Sequence, residues 1–160
     1  MLALERDPDN AGFIGRWTRE EHAAALNRER TEHFVLSAAE GGSPIGYLIA
    51  FNLVAEGFGV WIQRIAVSVK SRGVGREFLS GYLTDALPRL GADSAILDVM
   101  RTNPRAQKMY RSIGFAEVTL PAEDFAKLDR LVGGIDDDVI IMRADSAVLT
   151  VPGREVPDVE

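Results

Sequence analysis

The residues of this sequence that could do chemistry lie in two short blocks. Residues 69–79 read VKSRGVGREFL, where Gly73 and Gly75 stand among Lys70, Arg72 and Arg76 with no acid before Glu77. Residues 101–115 read RTNPRAQKMYRSIGF and carry Asn103, Arg105, Lys108 and Tyr110. A glycine turn that opens a helix can hold a phosphate. The first helical N–H groups lack intrahelical partners, and the macrodipole favours an anion there. Glycines keep side chains off the approached backbone, and nearby cations add charge-assisted bonds. The turn is not a Walker A loop, because GxxxxGK is absent, nor a dinucleotide fingerprint, because Phe78 takes the third glycine place. By itself it is also readable as a tight corner between two elements. Packing and helix capping are likewise enough to explain Tyr110 and Asn103.

Charge sharpens the first reading. Residues 70–76 and 101–111 hold 7 of the 18 cations and none of the 24 acids. The whole chain has net charge −6 and pI about 5.0, which argues against a general nucleic-acid binder. One basic locus on an acidic chain suits an anionic cofactor with a cationic or neutral second substrate. The absence of Cys excludes disulfides, thiolate metal sites and Cys nucleophiles. Two histidines, His22 and His33, exclude a His-rich metal site, and both read as surface or capping residues. No apolar run is long enough to span a bilayer and no signal-peptide core is visible, so the expected location is the cytoplasm.

The elements that must position these blocks follow from periodicity. At 160 residues and 46% hydrophobic, the chain is long enough for one domain with a real core. Leu2–Glu5 reads as a short edge strand, and residues 11–17 and 18–30 as two helices. Thr18 and Glu21 form a capping box for the second helix. Strands are expected at 33–39, 45–54 and 60–69, joined by the turns EGGSP and AEGFG. From Gly73 the period becomes helical, with Val74, Phe78, Tyr82 and Ala86 on one stripe and an end near Pro88. SAILDV is a strand. Asn103-Pro104 caps and starts a further helix, and Gly114 stops it. Residues 115–120 and 138–144 read as strands, with an irregular or partly helical insert at 121–138. Residues 1–144 form the domain and 145–160 a C-terminal arm or disordered tail. Hairpins followed by single helices imply an α/β (α+β) fold, a mixed, mostly antiparallel twisted sheet with helices on both faces.

Taken together, the two blocks resemble the GNAT superfamily of acetyl-CoA-dependent N-acetyltransferases. The family motif Gln/Arg-x-x-Gly-x-Gly/Ala is matched at residues 70–75 with Lys in the first place. Leu97, Val99, Asn103, Arg105-Ala106, Tyr110 and Gly114-Phe115 occupy the places of the family's following strand and helix. The resemblance spans residues 45–120. Only Ser68 and Val69 separate Val67 from Lys70, a short link that looks like the branch holding ribosomal-protein and some small-molecule acetyltransferases.

The resemblance implies acetyl transfer from acetyl-CoA to a small-molecule or peptide amine by direct attack in a ternary complex. It implies that the amides of Arg72, Gly73, Val74, Gly75 and Arg76 cradle the pyrophosphate. It implies that Ile65, Ala66 and Val67 pair with the pantetheine as an added strand would, and that Lys70, Asn103 and Arg105 also bind the cofactor. Tyr110 would be the general acid at the sulfur. The base is open: the strand at 60–67 offers only Gln63, which could position a water, while Glu56, Asp136, Asp137 and Asp138 are nearby acids. Trp17, Phe58 and Trp61 could border the expected acceptor side, but apolar packing is the better reading for each. Neither membrane nor nucleic acid is expected as a partner, and a homodimer is allowed. A non-catalytic acyl-CoA-binding module of the same fold and a nucleotide-binding protein are the competing readings.

Overall fold

A computed structural model describes residues 2–149 other than 9, 11, 14–16 and 71. Ser71, most of the expected helix at 11–17, and residues 150–160 of the expected arm lie outside the described residues. The described elements are α1 (Leu2–Glu5), α2 (Arg19–Leu26), β1 (Thr31–Ser37), β2 (Pro44–Leu53), β3 (Gly59–Val67), α3 (Val74–Leu90), β4 (Ser94–Met100), α4 (Pro104–Ile113), β5 (Ala116–Val118), α5 (Ala122–Val132) and β6 (Val139–Asp145). Six strands make one sheet in the order β1-β2-β3-β4-β6-β5. Every neighbouring pair is antiparallel except β3 and β4. This is the expected mixed sheet with helices on both faces.

Local sequence rules account for most boundaries. Thr18 Oγ1 accepts the Glu21 N–H at 3.1 Å and Glu21 Oε2 accepts the Thr18 N–H at 2.6 Å, which closes the capping box of α2. Asn103 Oδ1 accepts the Ala106 N–H at 3.1 Å, and Pro104 starts α4. Gly114 ends α4, and its N–H and that of Phe115 return to the Tyr110 carbonyl.

One expectation is corrected. Leu2–Glu5 is a helical turn, because Leu4 and Glu5 are both buried under the sheet rather than alternating along an edge. Helix α3 ends near Pro88 as expected, at Leu90, since a proline in the last turn removes a single ladder bond before Gly91 ends the helix in the left-handed region. The partly helical insert at 121–138 holds the three-turn helix α5, which buries Leu128 and Val132 one turn apart.

The sheet separates two cores. Leu48, Ile62, Leu83, Leu97, Tyr110 and Met142 pack under α3 and α4. Tyr47, Ile49, Phe51, Trp61, Ile96 and Leu128 pack under α1 and α5. The parallel contact of β3 with β4 has only two registered pairs, Val60 with Ala95 and Trp61 with Ile96. Beyond them β3 bulges: Ile49 pairs with Arg64 and Ala50 with Ile62, so Gln63 is the extra residue. The bulge bends β3 away from β4, and residues 63–67 have no β4 partner among the described residues.

Gly59 is the pivot of this divergence. Its φ is +70°, and a Cβ there would lie 2.2 Å from the Ser94 carbonyl oxygen. Alanine would add left-handed strain and separate the strands where they must touch. Gly59→Ala is expected to destabilise the fold by about 3 kcal/mol, read as a lowered midpoint in urea unfolding monitored by circular dichroism. An unchanged midpoint would remove Gly59 from this role.

Candidate functional site

Where β3 leaves β4, the sheet opens into a cleft of about 1480 Å³. One wall is the free edge of β3. The α3 N-terminus and one face of α4 form the second wall. The segment before α2 and the loop from Val132 to Asp136 border the far end. Among the residues expected to bind the cofactor, Ile65, Ala66, Val67, Lys70, Gly73, Val74, Gly75, Arg76, Asn103 and Arg105 line this cleft, as does Tyr110. Arg72 is exposed and does not line it.

The α3 N-terminus is built to receive an anion. Gly73 takes φ +78°, and among the described residues no side chain caps the helix. Its first amides are therefore available at the cleft, beside Arg76, Arg105 and Lys108. Gly75 has a second use. A Cβ there would lie 3.2 Å from Met109 Sδ, so glycine lets α3 approach α4 closely. Lys70 is placed differently from a phosphate-facing cation. Its ammonium donates to Asn10 Oδ1 and to the Val67 carbonyl, tying the end of β3 to the N-terminal segment. The unpaired β3 edge, the uncapped amides and the surrounding cations fit an extended ligand that ends in a pyrophosphate.

Tyr110 projects from α4, 7% exposed, with its ring centroid 5.9 Å from that of Phe115. Burial, and then the charge of Asp98, pushes its hydroxyl well above the ordinary tyrosine range. It therefore stays protonated at neutral pH. Asn103 lines the cleft, but its side-chain oxygen is committed to capping α4.

Asp98 is the residue that sequence reasoning missed. On β4, Leu97 and Val99 enter the core under α3 and α4, so alternation turns Asp98 to the opposite face. It lines the cleft there together with Asp136. Burial raises its pKa to about 6, the Asp136 charge adds to the rise, and its own backbone N–H and Arg64 oppose it. The available signal was a lone acid in an otherwise apolar central strand, SAILDVM.

The other candidate bases separate cleanly. Glu56 forms an ion pair with Arg30 at 2.8 Å, and neither Glu56 nor Asp137 or Asp138 lines the cleft. Gln63 lines it, with Oε1 accepting Trp61 Nε1–H at 2.7 Å. Trp17 and Trp61 line it too, whereas Phe58 packs in the core only. The histidines correct the surface expectation. His22 is buried with Nε2 3.1 Å from Glu5 Oε1. His33 is half-buried on β1, where desolvation lowers its pKa.

Residues 3–115 match the family described as "Acetyltransferase (GNAT) family". Among curated proteins, none matches this sequence. The spermidine N-acetyltransferase from Vibrio cholerae in complex with CoA and spermine superposes with a TM-score of 0.68 at 17% identity, covering 91% of this chain and 88% of that one. The ribosomal-protein-S18-alanine N-acetyltransferase from Escherichia coli gives 0.61 at 23% identity, covering 89% and 84%. A domain from Methanocaldococcus jannaschii gives 0.65 at 16% identity, covering 90% and 88%. At these identities the likeness is one of fold.

The glycine turn can be tested without disturbing the core. Among the described residues, a Cβ at Gly73 meets nothing nearer than Glu77 Oε1 at 4.0 Å. Gly73→Val is expected to fold, at a local cost of about 1–2 kcal/mol for the left-handed backbone, and to weaken acetyl-CoA binding at least about tenfold by crowding the amides. Calorimetric titration checks this, and equal affinity in the folded variant would leave the turn as a corner only.

Proposed function

Because the chain belongs to the acetyltransferase (GNAT) family, we propose that it moves an acetyl group from acetyl-CoA to the nitrogen of a small-molecule or peptide amine in a ternary complex. The observation that carries this reading is the placement of Asp98 and Tyr110. They line one cleft but come from opposite faces of the sheet, so two reactants entering from either side would meet between them.

Bound acetyl-CoA supplies an acyl group activated as a thioester. The α3 amides, with Arg76, Arg105 and Lys108, hold its anionic end by charge-assisted hydrogen bonds. The free edge of β3 at Ile65, Ala66 and Val67 offers backbone groups to its extended arm, as a strand does to a neighbour. Asp98 accepts the proton of the amine. A carboxylate near 6 is too weak to strip a free alkylammonium of pKa ~10. It is strong enough for the proton that nitrogen sheds as its bond to carbon forms, because that nitrogen becomes far more acidic. Tyr110 donates a hydrogen bond where negative charge develops on the departing sulfur. Its raised pKa makes complete proton transfer to a thiolate of ~8.5 uphill, so its contribution is the hydrogen bond itself. The acidic remainder of the chain favours a cationic or neutral acceptor.

Thiol release from acetyl-CoA with a panel of amines tests this reading. Turnover is expected with at least one amine, and none with any would favour a non-catalytic acyl-CoA-binding module. Asp98→Asn is expected to lower kcat about 100-fold or more while acetyl-CoA affinity holds. Tyr110→Phe is expected to lower it about tenfold, and wild-type turnover would remove the tyrosine from the mechanism.

The pH profile has a defined sign. Asp98 acts as the carboxylate, and burial has raised its pKa to about 6. The kcat/KM profile, once divided by the fraction of the amine that is neutral, should therefore be flat above that value and fall about tenfold per unit below it. An acid limb near 4 would indicate a solvated carboxylate instead.

A further inference from the structure

Four elements or segments converge on one buried carboxylate outside the cleft. Glu5 of α1, 2% exposed, accepts the Tyr47 hydroxyl of β2 at 2.6 Å and the Trp17 N–H at 3.3 Å. It lies 3.1 Å from His22 Nε2 of α2 and 3.4 Å from Arg64 Nη1 of β3. The Arg64 side chain is 8% exposed, and its guanidinium lies 4.2 Å above the Trp17 ring. Taking a cation out of water is costly unless an anion opposes it, and Glu5 is that anion.

The β3 bulge determines where Arg64 points. With Gln63 inserted, Arg64 pairs with Ile49 and shares the face of Trp61 and Ala66, which is the face that bears Asp98. Arg64 and Asp98 both line the cleft. The charged and titratable groups around Asp98 can be named element by element. β3 brings Arg64, the loop before β6 brings Asp136, and α4 brings Tyr110. Glu5 and His22 stand behind Arg64, and Glu21 of α2 lies on the cleft rim. β6 sets the apolar Ile141 opposite Asp98. Arg64 is thus the cation on the Asp98 face of the cleft whose charge favours the Asp98 carboxylate, a smaller influence than burial, the Asp98 backbone N–H or Asp136.

We propose that Arg64 is a positioning residue for the transfer reaction: Glu5 and Trp17 fix its guanidinium on the Asp98 side of the cleft, where it offsets Asp136 and keeps Asp98 a carboxylate. This inference rests on Asp98 as the proton acceptor. It gives the N-terminal segment a function, because α1 and Trp17 hold the charge that conditions the site.

The test is a carboxyl carbon-13 NMR titration of Asp98 in the full chain, beside the kcat/KM pH profile with an amine that turns over. Arg64→Gln is expected to raise the Asp98 midpoint by about half a unit or more, Arg64→Lys by less, and Asp136→Asn to lower it. The acid limb should move with the midpoint in each case. Arg64→Gln leaves Glu5 buried without its cation. The double variant Arg64→Gln/Glu5→Gln removes both charges and should show the same rise where the single variant does not fold. A purely structural arginine would change stability and leave the midpoint in place. An unmoved midpoint in the folded Arg64 variants, with Asp98→Asn inactive, overturns this inference alone. A moved midpoint with Asp98→Asn still active instead overturns the assignment of Asp98 as proton acceptor.

Discussion

The site exists because β3 and β4 touch at two residue pairs and then part. A parallel pair held along its length would satisfy the backbone of both strands and leave no opening. Here Gly59 allows the strands to meet at Ser94, and the Gln63 bulge bends β3 away at once. Each departing edge retains its other neighbour, β2 for β3 and β6 for β4, so the sheet stays whole on both sides of the gap. The two hydrophobic cores lie on opposite faces and hold the halves at a fixed separation. Residues 63–67 of β3 then border the cleft without a β4 partner among the described residues, and the Val67 carbonyl there accepts the Lys70 ammonium.

The cleft takes its charge from several elements. The α3 and α4 wall carries Arg76, Arg105 and Lys108 with the positive end of a helix dipole, whereas Asp98, Asp136 and Glu21 reach the cleft from other elements, together with Arg28 and Arg64. Strand alternation separates neighbours at close range. Val99 and Asp98 are neighbours in sequence but face opposite cores, so Asp98 comes to the cleft from the side away from Tyr110.

The N-terminal segment ties into both functional regions. Asn10 donates to the Leu4 carbonyl at 2.8 Å and receives the Lys70 ammonium, which links the segment to the start of the glycine turn. Glu5 links the same segment to Arg64 at the bulge. The ion pair of Glu5 and Arg64 is buried, and such a pair adds little net stability over an apolar one while strongly penalising the loss of either partner. Its value lies in the placement of a charge.

Much of this molecule is written in short-range rules. The capping box at Thr18, the Asn103-Pro104 start, the Gly114 stop and the change of period at Gly73 each depend on residues a few positions apart. Their elements stand close to where the sequence placed them. Tyr110 and most of the residues singled out beside it come to line one cleft, because a glycine turn and a cation cluster are local patterns. Leu2–Glu5 was misread because four residues carry too little periodicity to tell a turn of helix from a strand. His22 was misread because its burial comes from Glu5, Trp17 and Tyr47, which the sequence does not set beside it. By itself the sequence determined the order of elements from β1 onward and the basic glycine turn that opens α3. Only the tertiary structure decided which acids face that cleft, since Asp98 against Asp136 and Arg64 against Glu5 are meetings made by strand divergence and a bulge. Charge acts through space, and no spacing along the chain encodes which distant groups will share a buried volume.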